Sequence, residues 1–178
     1  TLWMAAPLVA AVEIPDAPAR LERSHIPQSD WNSFHALLVA CKDGDTEQVR
    51  TLLAKGADKD MALFCACASA RNCKDLIKEL LAAGADVNAA PVECCTPLYA
   101  AIGSKRLGEC EGWAAHAASV THYEGQAEVV SMLLAAGADP NTCSSFGRIP
   151  PIIEAARTGD AATVELLLKA GADVNGRE

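Results

Sequence analysis

The sequence predicts an all-α fold, a stack of helix-turn-helix units repeated along the chain. Three observations predict it. The first is composition: of 178 residues, 51% are hydrophobic but only 4% aromatic, and 35 are alanine. Small side chains in that quantity suit closely packed helices, whereas a β-sandwich draws on branched and aromatic residues. The second is a tripeptide that occurs four times, as Gly56-Ala57-Asp58, Gly84-Ala85-Asp86, Gly137-Ala138-Asp139 and Gly171-Ala172-Asp173. The third is the pattern in front of each copy. Leu53, Leu81, Leu134 and Leu168 lie three residues before the glycine; Leu52, Leu80, Leu133 and Leu167 lie four before; Val49, Ile77, Val130 and Val164 lie seven before. All twelve positions are aliphatic, at spacings that share one face of a helix.

Residues 1–29 match no unit. They hold Pro7, Pro15, Pro18 and Pro27, which predicts an extended N-terminal arm that caps the first unit or lies on a partner. Leu2 to Val12 is the longest apolar run; it contains Pro7 and falls short of the roughly 18 residues of a membrane span. It lacks the basic start of a signal peptide, and Thr1 in place of an initiator is what a processed product or a fragment would carry.

From residue 30 to 178 the repeats follow one another at about 30–60, 61–88, 89–141 and 142–178. Each glycine of the tripeptide falls where a helix C-cap takes the left-handed conformation. A helix start is written at Thr96-Pro97-Leu98-Tyr99-Ala100-Ala101, with Thr96 as cap and Pro97 at the first helical position, where its missing N–H removes no bond. Pro150-Pro151 holds the corresponding place in the last unit, followed by Ile152, Ile153, Ala155, Ala156 and Gly159. The unit is helix, tight turn, helix, glycine cap, then an excursion to the next unit.

Thr-Pro-Leu-Tyr-Ala-Ala, the aliphatic second helix and Gly84-Ala85-Asp86-Val87-Asn88-Ala89 resemble the ankyrin repeat family, whose period is about 33 residues. The resemblance covers Asp30 to Asn175. It implies a solenoid of stacked helix pairs with β-hairpin fingers along one edge. It also implies that Asn88, Asn141 and Asn175 tie down the finger backbone through side-chain hydrogen bonds. The chain departs from the pattern in places. The glycine spacings are 28, 53 and 34. The finger between the first two units is cut to Lys59-Asp60-Met61, and the next helix reads Leu63-Phe64-Cys65-Ala66-Cys67-Ala68-Ser69. An insertion at 103–124 is expected between the two helices of the third unit, with Trp113, Ala117 and Val120 on one helical face and Tyr123 beyond it. Cys65 and Cys67 stand where the family has leucine, and Cys41 where it has alanine. Core packing accounts for all three.

The chemistry of a catalyst is not written in the chain. Its net charge is −8, from 15 Lys+Arg against 23 Asp+Glu, which argues against nucleic acid as a partner. Eight cysteines form no C-x-x-C pair, so neither a structural zinc site nor a redox motif is spelled out. His116 and His122 are six apart and point to different faces of a helix, and His35 falls at the capping position of the first unit. No phosphate loop, serine elbow or kinase set occurs. The expectation is therefore no enzyme, no cofactor and no metal.

Binding is what remains. By the resemblance, contacts come from finger tips and inner helices, which are Val92, Glu93 and Cys94 on one finger, Ser145, Phe146 and Arg148 on the next, and Tyr99 on a first helix. The insertion adds Lys105, Arg106 and Trp113. Phe146 stands out, as an aromatic at a finger tip has no core to fill. The function expected is a non-enzymatic protein–protein interaction module, a scaffold or adaptor whose partner is a protein. The alternative is a permanent accessory subunit of a large complex, organellar or membrane-associated, contacted through the N-terminal arm. The final helix, Ala161 to Lys169, keeps Val164, Leu167 and Leu168 with no polar substitute, so either the natural chain continues or another subunit covers this end. Cysteine usage suits an intracellular, reducing compartment, cytoplasmic or organellar after removal of a targeting segment.

Overall fold

In the computed structural model the residues described are 28–69, 73–91, 95–102, 125–142 and 149–175. They form eight helices: α1 (Gln28–Asp43), α2 (Thr46–Ala54), α3 (Lys59–Ala68), α4 (Lys74–Ala82), α5 (Pro97–Ile102), α6 (Gln126–Ala135), α7 (Pro151–Thr158) and α8 (Ala161–Lys169). No strand occurs among the described residues.

Local chemistry fixes where these helices start and stop. The carboxylates of Asp45, Asp58 and Asp160 cap α2, α3 and α8, accepting from the backbone N–H of Gln48, Asp60 and Thr163 at 3.0, 2.8 and 3.1 Å. Thr96 caps α5 through Tyr99 N–H, and Pro151 opens α7 at its first position. At the other end of each second helix, Gly56, Gly84, Gly137 and Gly171 adopt φ of +94°, +77°, +93° and +89°, a conformation in which a Cβ would be strained.

The helices pair as α1/α2, α3/α4, α5/α6 and α7/α8, and the first helices stack α1 on α3, α3 on α5 and α5 on α7. Among the second helices, α6 packs directly on α8. Stacking explains the core better than amphipathicity does. Every residue of α3 from Met61 to Ala68 is buried, because α1, α4 and α5 close on it from three sides. Position by position, burial follows the neighbours. Leu38, Ala66 and Tyr99 are buried, while Ile153 at the same place in the last pair is 37% exposed. One residue on, Cys67, Ala100 and Glu154 are buried, while Val39 in the first pair is 39% exposed. The former position is covered by the following pair, the latter by the preceding one.

Several expectations need correction. The short finger expected at Lys59-Asp60-Met61 is the first turn of α3, which begins at Lys59 because Asp58 caps it. Residues 28 and 29, expected in the extended arm, open α1, and α1 runs unbroken through His35, which is therefore mid-helix rather than a cap. Cys95, next to the Cys94 expected on a finger, is buried. The arm at 1–27 and the expected insertion at 103–124 lie outside the described residues.

Candidate functional site

The turns that follow the second helices are joined by a ladder of side-chain hydrogen bonds. Asp86 first turns the chain by accepting Asn88 N–H at 2.9 Å. The Asn88 carboxamide then reaches the next pair, donating from Nδ2 to the Gly137 carbonyl at 3.0 Å and accepting Asp139 N–H on Oδ1 at 2.8 Å. Asn141 repeats the link, with Nδ2 to the Gly171 carbonyl at 3.3 Å and Oδ1 from Asp173 N–H at 2.7 Å. Each asparagine satisfies one orphan carbonyl and one orphan amide of the following turn.

The first junction has no asparagine, yet the same two groups are satisfied. Lys59 Nζ donates to the Gly84 carbonyl, and Asp60 Oδ1 accepts Asp86 N–H at 2.8 Å. A lysine and an aspartate thus divide between them the donor and acceptor of one carboxamide. Sequence reasoning missed this link. The cue was that the shortened connection keeps one donor and one acceptor side chain in consecutive positions. Asn175 makes the turn again, its N–H bonded to Asp173 Oδ1 at 2.8 Å, but its carboxamide has no partner among the described residues.

The finger roots are consequently well held. Cys95 and Thr96 are buried directly before α5, and Ile149 and Pro150 directly before α7. The proposed contact residues Val92, Glu93, Cys94, Ser145, Phe146 and Arg148, with Lys105, Arg106 and Trp113, lie outside the described residues. Tyr99 is described, and there the expectation fails: its side chain is 2% exposed on α5, which packs against α3, α6 and α7, so it belongs to the core.

The opposite side of the stack is laced by ion pairs. Arg50 on α2 donates to both carboxylate oxygens of Glu79 on α4, at 3.1 Å from Nε and 2.7 Å from Nη2, and also donates to Glu47. Lys74 on α4 pairs with Glu128 on α6. Hydrogen bonds from Arg50 and Lys74 hold the carboxyls of Glu79 and Glu128 below the usual glutamate range. Between α2 and α4 lies a cavity of about 530 Å³ with Cys73 and Leu76 in its wall and Thr46, Arg50, Asp75, Lys78 and Glu79 around it. Its charged groups already neutralise one another, so no acid, base or nucleophile converges there.

Two buried polar atoms stand without a hydrogen bond, Gln126 Oε1 and Glu154 Oε2. Gln126 Nε2 donates to the Ile102 carbonyl at 2.6 Å, closing the end of α5 against α6. Glu154 occupies the place that is Val39, Cys67 and Ala100 in the other pairs, with Arg157 Nη1 at 3.8 Å from its buried oxygen. Its burial was not signalled by the sequence.

Cys41, Cys65, Cys67, Cys73 and Cys95 are free and buried. Burial pushes the Cys41 thiol up to about 12 and raises Cys65 and Cys67 as well. Cys73 Sγ lies 3.3 Å from Ser69 Oγ and 3.7 Å from the Cys41 carbonyl oxygen. Protonated thiols of this kind pack as small hydrophobes. No group of three or more His, Cys, Asp and Glu among the described residues could hold a metal ion.

Family comparison agrees with helix pairs joined by a recurrent link. A profile described as "Ankyrin repeats (3 copies)" matches residues 37–111, and one described as "Ankyrin repeat" matches 113–145 and 150–177. The chain belongs to the ankyrin repeat family. Its repeats are of the kind that mediates protein–protein interaction. The match at 113–145 takes in residues 113–124, expected above as part of an insertion, and the insertion is not confirmed. Among curated proteins the chain is similar to cyclin-dependent kinase 4 inhibitor B of Mus musculus, Rattus norvegicus and Bos taurus, at 51% identity over 51 residues in each case. The match covers 29% of this chain, and 38%, 38% and 37% of those relatives, so the chain spans less than two fifths of their length. No helix among the described residues is long and apolar enough to cross a membrane.

Proposed function

We propose that this ankyrin-repeat chain is a non-enzymatic module that holds a partner protein along its finger edge, through residues 92–94, 143–148 and the segment 103–124. The observation that carries the reading is the carboxamide ladder. Asn88 and Asn141 fix the finger roots to the following turns, so the tips spring from a base whose ordering cost was met in folding. Phe146, Arg148 and Trp113 are the side chains of the type that anchors an interface, and they are the expected hot spots. The relatives are inhibitors named for a cyclin-dependent kinase, which makes a protein-kinase domain the first partner to try. An intracellular, reducing compartment suits five free buried thiols.

The test places a photo-crosslinking amino acid at position 146 and, as a control, at position 165 on the exposed side of α8. The expected result is an adduct with one protein from position 146 alone. Phe146→Ala with Arg148→Ala should lower recovery of that protein at least about tenfold, as loss of two hot spots does, with the unfolding midpoint unchanged. Equal recovery by the double variant, or its unfolding, would refute the finger reading.

A further inference from the structure

We propose that Cys41 and Cys73 form an oxidation site: a small hydroperoxide entering the cavity between α2 and α4 oxidises Cys73, and Cys41 closes a disulfide on it. The inference is independent of the finger edge. It comes from how the fold gathers thiols that lie 32 residues apart in the sequence.

Four of the free buried thiols belong to one region. Cys41 lies in the last turn of α1, Cys65 and Cys67 lie on α3, and Cys73 precedes α4 as its N-cap. Helix α3 packs on both α1 and α4, which brings the four together. Cys41, Cys65 and Cys67 are shut in the core. Cys73 differs, because it forms part of the cavity wall. The charged groups around that cavity are paired, Arg50 with Glu79 and Lys78 with Asp75, which leaves the thiol as the reactive group in the wall.

The surroundings of Cys73 suit it to the first step. Its sulfur lies 3.7 Å from the Cys41 carbonyl oxygen, so it rests against the residue that is to trap it. The Ser69 hydroxyl, now donating to the Ala66 carbonyl, is 3.3 Å from the sulfur and can turn its proton there as charge grows. Cys73 heads α4 without a side-chain cap bond, so negative charge developing on its sulfur meets the positive end of that helix. The Cys41 thiol is raised first by burial and then by the charge of Cys73, which places the two sulfurs within electrostatic reach.

The chemistry balances in two steps. The Cys73 sulfur gives up its proton and attacks the terminal oxygen of the hydroperoxide. The O–O bond breaks, an S–O bond forms, and the other oxygen takes the proton and leaves as an alcohol, or as water from hydrogen peroxide. The Cys41 sulfur then attacks the sulfur of the Cys73 sulfenic acid. The S–S bond forms, the S–O bond breaks, and the hydroxyl leaves with the Cys41 proton as water. Two thiols are oxidised and one peroxide is reduced. The disulfide ties the end of α1 to the start of α4, and a thiol reductant reverses it.

Hydrogen peroxide on the folded full chain, followed by alkylation, trypsin and mass spectrometry, tests this on the wild-type protein. Trypsin parts the thiols: Cys41 leaves in residues 24–42, Cys65 and Cys67 in 60–71, and Cys73 in 72–74. The expected product is 24–42 joined to 72–74, lighter than the two peptides by two hydrogens and lost when dithiothreitol is added before alkylation. Cys41→Ser should leave Cys73 as a sulfenic acid that dimedone captures. Cys73→Ser should leave Cys41, Cys65 and Cys67 unoxidised over the same time. The wild-type map decides by itself should either variant fail to fold. A bridge from 72–74 to 60–71 would overturn the proposal. So would a sulfinic or sulfonic acid at Cys73 with Cys41 still a thiol, or an untouched Cys73 under conditions that oxidise free glutathione completely.

Discussion

The middle of the stack and its last helix pair are written with the same residues and reach different states. Tyr99 on α5 and Ile153 on α7 occupy one repeat position, yet the first is buried and the second is open. Leu134 and Leu168 likewise share a place; the first packs against the core and the second is exposed. What differs is the flank: among the described residues α3 and α5 each have a first helix on both sides, whereas α7 has one only on the side of α5. Burial here is conferred by neighbours, as in any fold whose contacts run only between adjacent units. A residue's apolar character states what it could bury, and the stack decides whether it does.

The largest expected effect sets those two places against each other. Tyr99→Ala should cost about 3 kcal/mol or more, as truncation of a fully buried aromatic does, while Ile153→Ala should cost less than about 1 kcal/mol. Denaturant titration of both variants measures the gap, and equal costs would break the comparison.

A second effect belongs to the middle alone. Burial raises the folded Cys41 thiol from 9.0 to about 12, and Cys65 and Cys67 upward with it. Below the unfolded value all three are protonated in both states, and their contribution is intact. As pH rises past 9 the unfolded thiols ionise first, so stability falls until the folded thiols ionise too. Cys41 alone should remove about 2 kcal/mol by about pH 10.5. Unfolding midpoints measured from neutral to that pH should decline, and Cys41→Ala should flatten the decline even if it lowers the starting value.

The links between pairs come next. Asn141→Ala should cost about 1–2 kcal/mol for two lost hydrogen bonds with partners left unmet. Lys59→Met, which keeps the stem and removes one donor, should cost about half of that. An equal effect from Asn175→Ala in dilute solution would contradict the view that its carboxamide is unpartnered. The smallest effect is expected on the outer side. Arg50→Gln should leave the midpoint nearly unchanged, since its partners Glu47 and Glu79 are exposed and screened. Whatever Glu79 contributes is present above the ordinary glutamate value and fades as pH falls through its lowered one. Salt should erase it before it erases any other effect.

Much of this architecture was legible because it repeats. The twelve aliphatic positions, the four glycine caps and the Thr96 start depend on helix periodicity and left-handed backbone, which a sequence displays directly. Asn88 and Asn141 were legible through the family resemblance. Other features were not, each for a physical reason. Lys59 and Asp60 share between two side chains a role that the pattern assigns to one, so no single position carries the signal. Tyr99 is amphipathic, and its phenol ring suited an interface as well as a core until α3, α6 and α7 closed around it. Glu154 is charged and buried, the combination that composition argues against most strongly. Phe146, Arg148 and the other tip residues lie beyond the described residues, and for them the sequence alone supports the reading.

Hydrogen exchange resolved by residue, on dilute chain at neutral pH, tests the central claim most directly. If neighbours confer burial and stability, amides in α3 and α5 should exchange only through global unfolding, while those in α7 and α8 open earlier, in smaller steps. Protection that is uniform from α3 to α8, or greatest in the last pair, would contradict it.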